Sequence, residues 1–238
     1  MLGYNVSKIQ ELLEKMVNSR GEVKSAMQNG WNSMKGVLRT QWIGADEQSF
    51  ENKLAQRLIE LYDNVQDNTF IFVQNVGNLG KSWIEFQKNN IIEGSGANES
   101  PVSLQIPELS KDQLQLDLTK IDLTNATDLG LKEGKASAER ITSAVQDYVK
   151  DVYTKTEQAY SNMDSTAAFL GDEQKTQINK YLSDMGTALA KVTSCVKDLN
   201  DAMTQLVANY TLQQQNIVES SSKKVDNLVD NEGSMMNF

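Results

Sequence analysis

The chain contains no histidine, a single cysteine, two prolines, and fewer basic residues (23) than acidic ones (32). Each shortage closes off a class of function. Without histidine there is no Ser-His-Asp or Cys-His catalysis, and the commonest transition-metal ligand is missing. One cysteine, Cys195 in "KVTSCVKDL", excludes an intramolecular disulfide; within a helical repeat it reads as a packed or half-exposed thiol. A net charge of −9 argues against a nucleic-acid binder and against electrostatic docking on anionic lipid, because both rest on Lys and Arg. "GNLGKS" at 77–82 is too short between its glycines to be a phosphate-binding loop, so Gly80 and Lys81 read as helix-surface residues. Carboxylate clusters such as "DEQ" and "DNVQD" read as solvated faces and caps. Neither enzyme activity nor a cofactor is expected. The first residues, "MLGYNVSKIQELLEK", carry no basic region followed by an apolar core, so no cleavable signal peptide is expected, and no stretch approaches the length of a membrane span.

Both prolines, Pro101 and Pro107, fall mid-chain, which leaves the rest free to run as long helices. Phe50, Leu54, Leu58, Leu61, Val65, Phe72, Val76, Leu79, Trp83 and Phe86 recur in steps of three and four, with Thr69 filling the gap. This seam predicts a helix over 46–90, a rod of roughly 65 Å. Val6, Ile9, Leu13, Met16, Val23, Met27, Trp31, Met34 and Leu38 predict a partner over 5–40. Two such helices joined by about five residues fold back antiparallel. "WIGA" is then the turn, with Gly44 ending the first helix, Asp46 capping the second and Glu47 favoured by its dipole.

The second half repeats the plan. Ile141, Val145, Tyr148, Val152, Thr156, Ala159 and Met163 form one stripe. "FLGDEQ" intervenes, and Ile178, Leu182, Met185, Leu189, Val192, Val196, Leu199, Met203, Leu206 and Tyr210 form the next. The shared aromatic-x-Gly followed by Asp-Glu-Gln, together with matching offsets from Gly44 and Gly171, reads as a tandem duplication or a fusion of two related hairpins. The expected fold is all-α: an elongated four-helix bundle of two antiparallel hairpins, with an irregular or short β-like insertion. Its parts are a first hairpin at 1–90, a linker at 91–134, a second, degenerate hairpin at 135–220 and a flexible tail at 221–238. Leu61, Val65, Phe72, Leu189, Val192 and Leu199 are expected in the core. In the linker, "VSLQI" and "QLQLDL" alternate like strands, while Leu114, Leu118 and Ile121 equally suit a short helix.

Trp42 has two readings. It is a plug over the end of its own helix pair, or a partly exposed anchor read by another protein. A helix, Trp42-Ile43-Gly44, and a second helix, in an acidic, histidine-free chain, resemble the WxG helical-hairpin family of small substrates of type VII (ESX-like) secretion. The resemblance covers 1–90 well and 131–220 more weakly, since Phe169-Leu170-Gly171 replaces Trp-x-Gly. It implies export by a membrane ATPase machine and pairing as four-helix bundles, with partners in the secretion machinery or a small WxG companion, as monomer or homodimer. It also implies a Tyr-x-x-x-acid export signal after a hairpin's second helix. Tyr210 occupies that place, but Gln214 stands where an acid is expected. Literal matches, Tyr153 to Glu157 and Tyr160 to Asp164, lie before the second turn and are candidate remnants. Two other functions stay open: a membrane-active, pore-forming-like bundle with the central segment as tongue, and a cytoplasmic scaffold.

Overall fold

The computed structural model describes residues 5–89, 103–110, 115–118, 130–164, 168 and 172–235, with the backbone alone at 46, 172–175, 177, 206, 210, 214, 217, 218 and 220–235. Four helices carry it: α1 (Val6–Gln41), α2 (Ala45–Asn89), α3 (Lys135–Ser161) and α4 (Asp172–Met235). Two two-residue strands complete it: β1 (Trp42–Ile43) and β2 (Gly130–Leu131). The first two helices begin and end within a residue or so of the bounds their stripes predict.

The helices pack together around a shared interior. α1 lies against α2 and α3, and α4 lies against the same two. Every neighbouring pair is antiparallel, as the side-chain contacts show. Tyr62 of α2 donates its hydroxyl to the Arg20 carbonyl of α1 at 3.2 Å. Asn162, which caps the end of α3, and Lys155 within it reach Ser19 and Glu22 of α1 at 2.7 and 3.1 Å, while Ser137 meets Gln41. The Thr69 hydroxyl of α2 lies 3.4 Å from the Met185 sulfur of α4, and the Lys197 ammonium of α4 sits 4.8 Å above the Tyr153 ring of α3.

The stripes are what the helices bury. Leu58, Leu61, Val65, Phe72, Ile141, Val145, Tyr148, Val152, Leu189, Val192, Val196 and Leu199 are all core residues, including the six named as core from the sequence. The seam of α2 fails at its end, where Phe86 is 56% exposed and stacks on Trp83 at 5.5 Å. Thr69 is tolerated in the seam because its hydroxyl donates to the Val65 carbonyl at 2.8 Å, which satisfies the buried group. Cys195 is half-buried, and burial pushes its thiol above the usual range.

The linker neither pairs with itself nor forms helix where it is described. Residues 103–110 and 115–118 carry neither helix nor strand; Leu104, Leu116 and Leu118 are buried while Ser103, Gln105, Gln115 and Asp117 are exposed, and the alternation breaks at Ile106 and Pro107, both half-buried. The strand period was therefore present without the strand partner. Leu114 and Ile121 lie outside the described residues. Two glutamines of α1 hold this segment: Gln10 Oε1 accepts from the Gln105 amide at 3.0 Å, and Gln28 Oε1 accepts from the Asp117 amide at 3.0 Å while its Nε2 donates to the Asp117 carbonyl. The connection so follows α1 from its first turns toward its end, which places the start of α3 beside the α1–α2 turn.

Gly80 is not the surface residue its setting suggested. Gly77 and Gly80 are buried under the linker, and a Cβ on either would stand 2.6 Å from Ile106 or Leu104. α4 continues as helix to Met235, through most of the stretch assigned to a flexible tail from 221; no proline interrupts it and Gly233 is its one late glycine.

Candidate functional site

The turn between α1 and α2 is where the sequence places recognition. Trp42 ends α1 in an extended conformation (φ −118, ψ 128), its amide still donating to the Leu38 carbonyl. Trp42 and Ile43 then pair antiparallel with Leu131 and Gly130. Gly44 turns the chain with φ +142, a region that suits a residue without Cβ. Gly44 therefore makes the turn as expected, but it leads into α2 instead of ending α1. α2 starts at Ala45, so Asp46 sits inside its first turn and is not the cap; Gly44 holds that place.

Trp42 is 2% exposed. Its ring lies 5.6 Å from Phe50, centroid to centroid, at a 40° tilt, within the cluster that holds Leu38, Leu54 and Leu131. This is the plug geometry, and the partly exposed anchor is not observed. A large aromatic here closes the end of the interior because β2 folds over it from the linker.

Two carboxyl groups lie under the same turn. Glu51 is 1% exposed and accepts from Arg39 Nη2 and Nε at 3.2 and 3.3 Å; its second oxygen has no hydrogen-bond partner among the described residues. Glu47, one turn earlier, is also buried, near the start of α2 where the helix dipole favours a negative charge. The opposite side of the turn is bound to α3: Gln41 Oε1 accepts from Ser137 Oγ at 3.0 Å and Arg140 Nη1 at 2.9 Å, and Arg140 also reaches Glu133 at 2.7 Å. Sequence reading missed Glu51, Arg39 and Gln41. The signal was available for the acids, because 47, 51, 54 and 58 continue the α2 seam in phase.

Phe169 and Gly171 lie outside the described residues. Their neighbour Ala168 accepts from the Asn5 amide at 3.0 Å, which puts Ala168 beside the start of α1, at the opposite end of that helix from Trp42. Tyr153 and Glu157 sit on the α3 half that faces Ser19 and Glu22; Tyr160 is half exposed beside Gly186, with exposed Asp164 beyond it. The structure does not bring these four to Trp42. The α4 stretch around position 210 is different, since Val207, Ala208, Thr211, Leu212 and Gln215 line one groove with Lys135, Ala138 and Thr142 at the start of α3. Of the export-signal candidates, that position alone shares an end with Trp42.

Among the described residues no cluster of three or more Cys, Asp or Glu side chains is arranged to hold a metal ion. No described helix is long and apolar enough to cross a membrane. Compared with protein-family models, with curated proteins and with solved structures, the chain matches none.

Proposed function

We propose that the chain is a non-enzymatic substrate, adaptor or co-secreted partner of a type VII (ESX-like) secretion system in a Gram-positive bacterium, built as a four-helix bundle from two related hairpins and exported without a cleavable signal peptide. One observation carries the reading. Two antiparallel helix pairs in one chain bury each other's stripes, and the Trp-Ile-Gly turn of the first shares an end with the last helix of the second. That is the arrangement the resemblance implies for two separate small proteins, here in a single chain.

The same packing bears on the partner. The faces through which two small WxG proteins pair are occupied within this chain by its own helices, so a companion has to dock on an outer surface, and the secretion machinery becomes the favoured partner. With Trp42 inside the molecule, recognition falls on the surface of the turn, including half-buried Ile43 and exposed Ala45 and Lys132.

The direct test is expression in a Gram-positive host with and without its type VII membrane ATPase. The protein is expected in culture supernatant only when the ATPase is present. Secretion that ignores the ATPase defeats the proposal, as does retention in both strains. The variants Trp42→Ala and Phe169→Ala refine it. Loss of a buried indole costs about 3–5 kcal/mol of stability, and any export defect of Trp42→Ala is expected to follow that loss. An export defect with unchanged melting would instead restore direct reading of the tryptophan.

A further inference from the structure

α4 is longer than the bundle it belongs to. α1 ends at Gln41 and α2 starts at Ala45, on either side of the first turn, and α3 starts at Lys135, level with them where Ser137 meets Gln41. The groove that α4 shares with the start of α3 reaches Gln215. From there α4 runs on to Met235, about 20 residues or roughly 30 Å of helix beyond the start of α3. The described side chains follow the departure: Met203 is buried, Val207 and Thr211 are half-buried, and Leu212, Gln213, Gln215, Asn216 and Glu219 are all exposed.

A helix in this position lacks the packing from which most helical stability in proteins comes. Its sequence does not compensate: "NIVESSSKKVDN" holds no alanine or leucine but three serines, two asparagines and two valines, all lower in helix propensity. The extension calls for a partner, and its order of residues selects one. Val207, Thr211, Gln214, Val218, Ser222, Val225 and Val229 recur at steps of four, three, four, four, three and four, which places them along one side of a helix. These steps read the same in both directions from Val218. When two copies of the stretch run antiparallel, Val207 stands level with Val229, Thr211 with Val225, Gln214 with Ser222, and Val218 with itself. Valines then meet valine or the methyl-bearing threonine, and polar meets polar, the self-complementarity that a two-fold interface demands. In the same register the partner helix beyond Ser221 comes level with Gln215 and runs along the α3–α4 groove, a trough of about 650 Å³ between Ala138 and Thr142 on one side and Val207, Ala208 and Leu212 on the other. Leu212 is 57% exposed in the single chain.

We propose that α4 is a dimerisation element: two copies of the chain pair through residues 207–229, antiparallel about Val218, and each extension lies in the other's α3–α4 groove. The occupant is a second copy, because a partner of different sequence gives no reason for an order that mirrors itself. The inference stands on helix length and register and is independent of the secretion proposal. Its test reads association in place of export, so each fails separately.

The test is the mass of the purified full chain in reducing buffer by sedimentation equilibrium, expected at twice the 26.5 kDa of one chain. Val218→Asp sets two carboxylates against each other at the two-fold axis and is expected to weaken the dimer at least tenfold. Cross-linking fixes the direction. In a Cys195→Ser background under oxidising conditions, Val218→Cys is expected to link to its own copy. Thr211→Cys is expected to link to Val225→Cys in a mixture, while neither links to itself. A mass of one chain at about 0.1 mM overturns the proposal and leaves the extension to a different protein. A dimer that ignores Val218→Asp overturns it too, since pairing then uses another surface, as does self-linking of both Thr211→Cys and Val225→Cys, which marks a parallel pair.

Discussion

Gly30 lies against the Tyr148 ring, and a Cβ there would stand 2.6 Å from Cδ2 of a side chain that is itself buried and has nowhere to move. Gly21 and Gly36, on the same helix, have nothing within 4 Å of that position. The identical substitution is therefore expected to have opposite signs. Gly36→Ala gains about 0.5–1 kcal/mol from helix propensity, while Gly30→Ala loses on the order of 1–3 kcal/mol to overpacking, minus that gain. Urea denaturation of the two variants checks this, and a stabilised Gly30→Ala would show that the α1–α3 contact is looser than drawn. None of this was legible in the sequence, where the three glycines are alike. A glycine's role depends on what lies across from it, and Tyr148 is more than a hundred positions away.

At the scale of elements, apolar period and length carried most of the information. The α2 seam runs in phase for more than thirty residues, enough to fix the buried face, and its polar member Thr69 survives by bonding within its own helix. α4 behaves likewise. Leu199 lies on its buried face, and Leu199→Ala is expected to cost about 2–5 kcal/mol in equilibrium unfolding. No loss would mean that α4 is not held by its stripe. The linker shows where the same logic stops. Its alternation shows again in the burial of Leu104, Leu116 and Leu118, but a two-residue period cannot say whether the inward side meets another strand or the flanks of helices. Here the helices win because Gln10 and Gln28 supply the hydrogen-bonding groups that a partner strand would otherwise provide.

For the molecule as a whole, stability is expected to be flat between about pH 6 and 8, where no histidine titrates. Outside that window it falls on both sides. Burial holds the Tyr62 and Tyr148 hydroxyls above the ordinary value of 10.0, chiefly by desolvation. The unfolded chain releases these protons first, so the stabilisation is complete below 10.0 and is lost as pH rises beyond it. Tyrosinate absorbance and helix content are then expected to change together; ionisation of all tyrosines before any loss of helix would contradict the burial of these two. On the acid side, hydrogen bonds from Lys15 and Lys8 lower Glu11 from 4.5 to about 2, so its contribution is present above 4.5 and is lost as pH falls toward 2. Both ion pairs are exposed, and salt screens them.

The sequence by itself determined the first two helices and the position of the first turn, with the faces that must be buried, because these follow from local period, the scarcity of proline and the placing of Gly44. It determined Trp42 as a turn residue but left its role open. Tertiary structure decided that role. β2, drawn from a distant part of the chain, folds over the indole and makes it interior. It also decided the path of the linker along α1, and with it which helix pairs meet. Those choices rest on contacts between residues far apart in sequence, such as Gln28 with Asp117 and Gly80 with Leu104, whose energies depend on shape across a gap that no local pattern encodes.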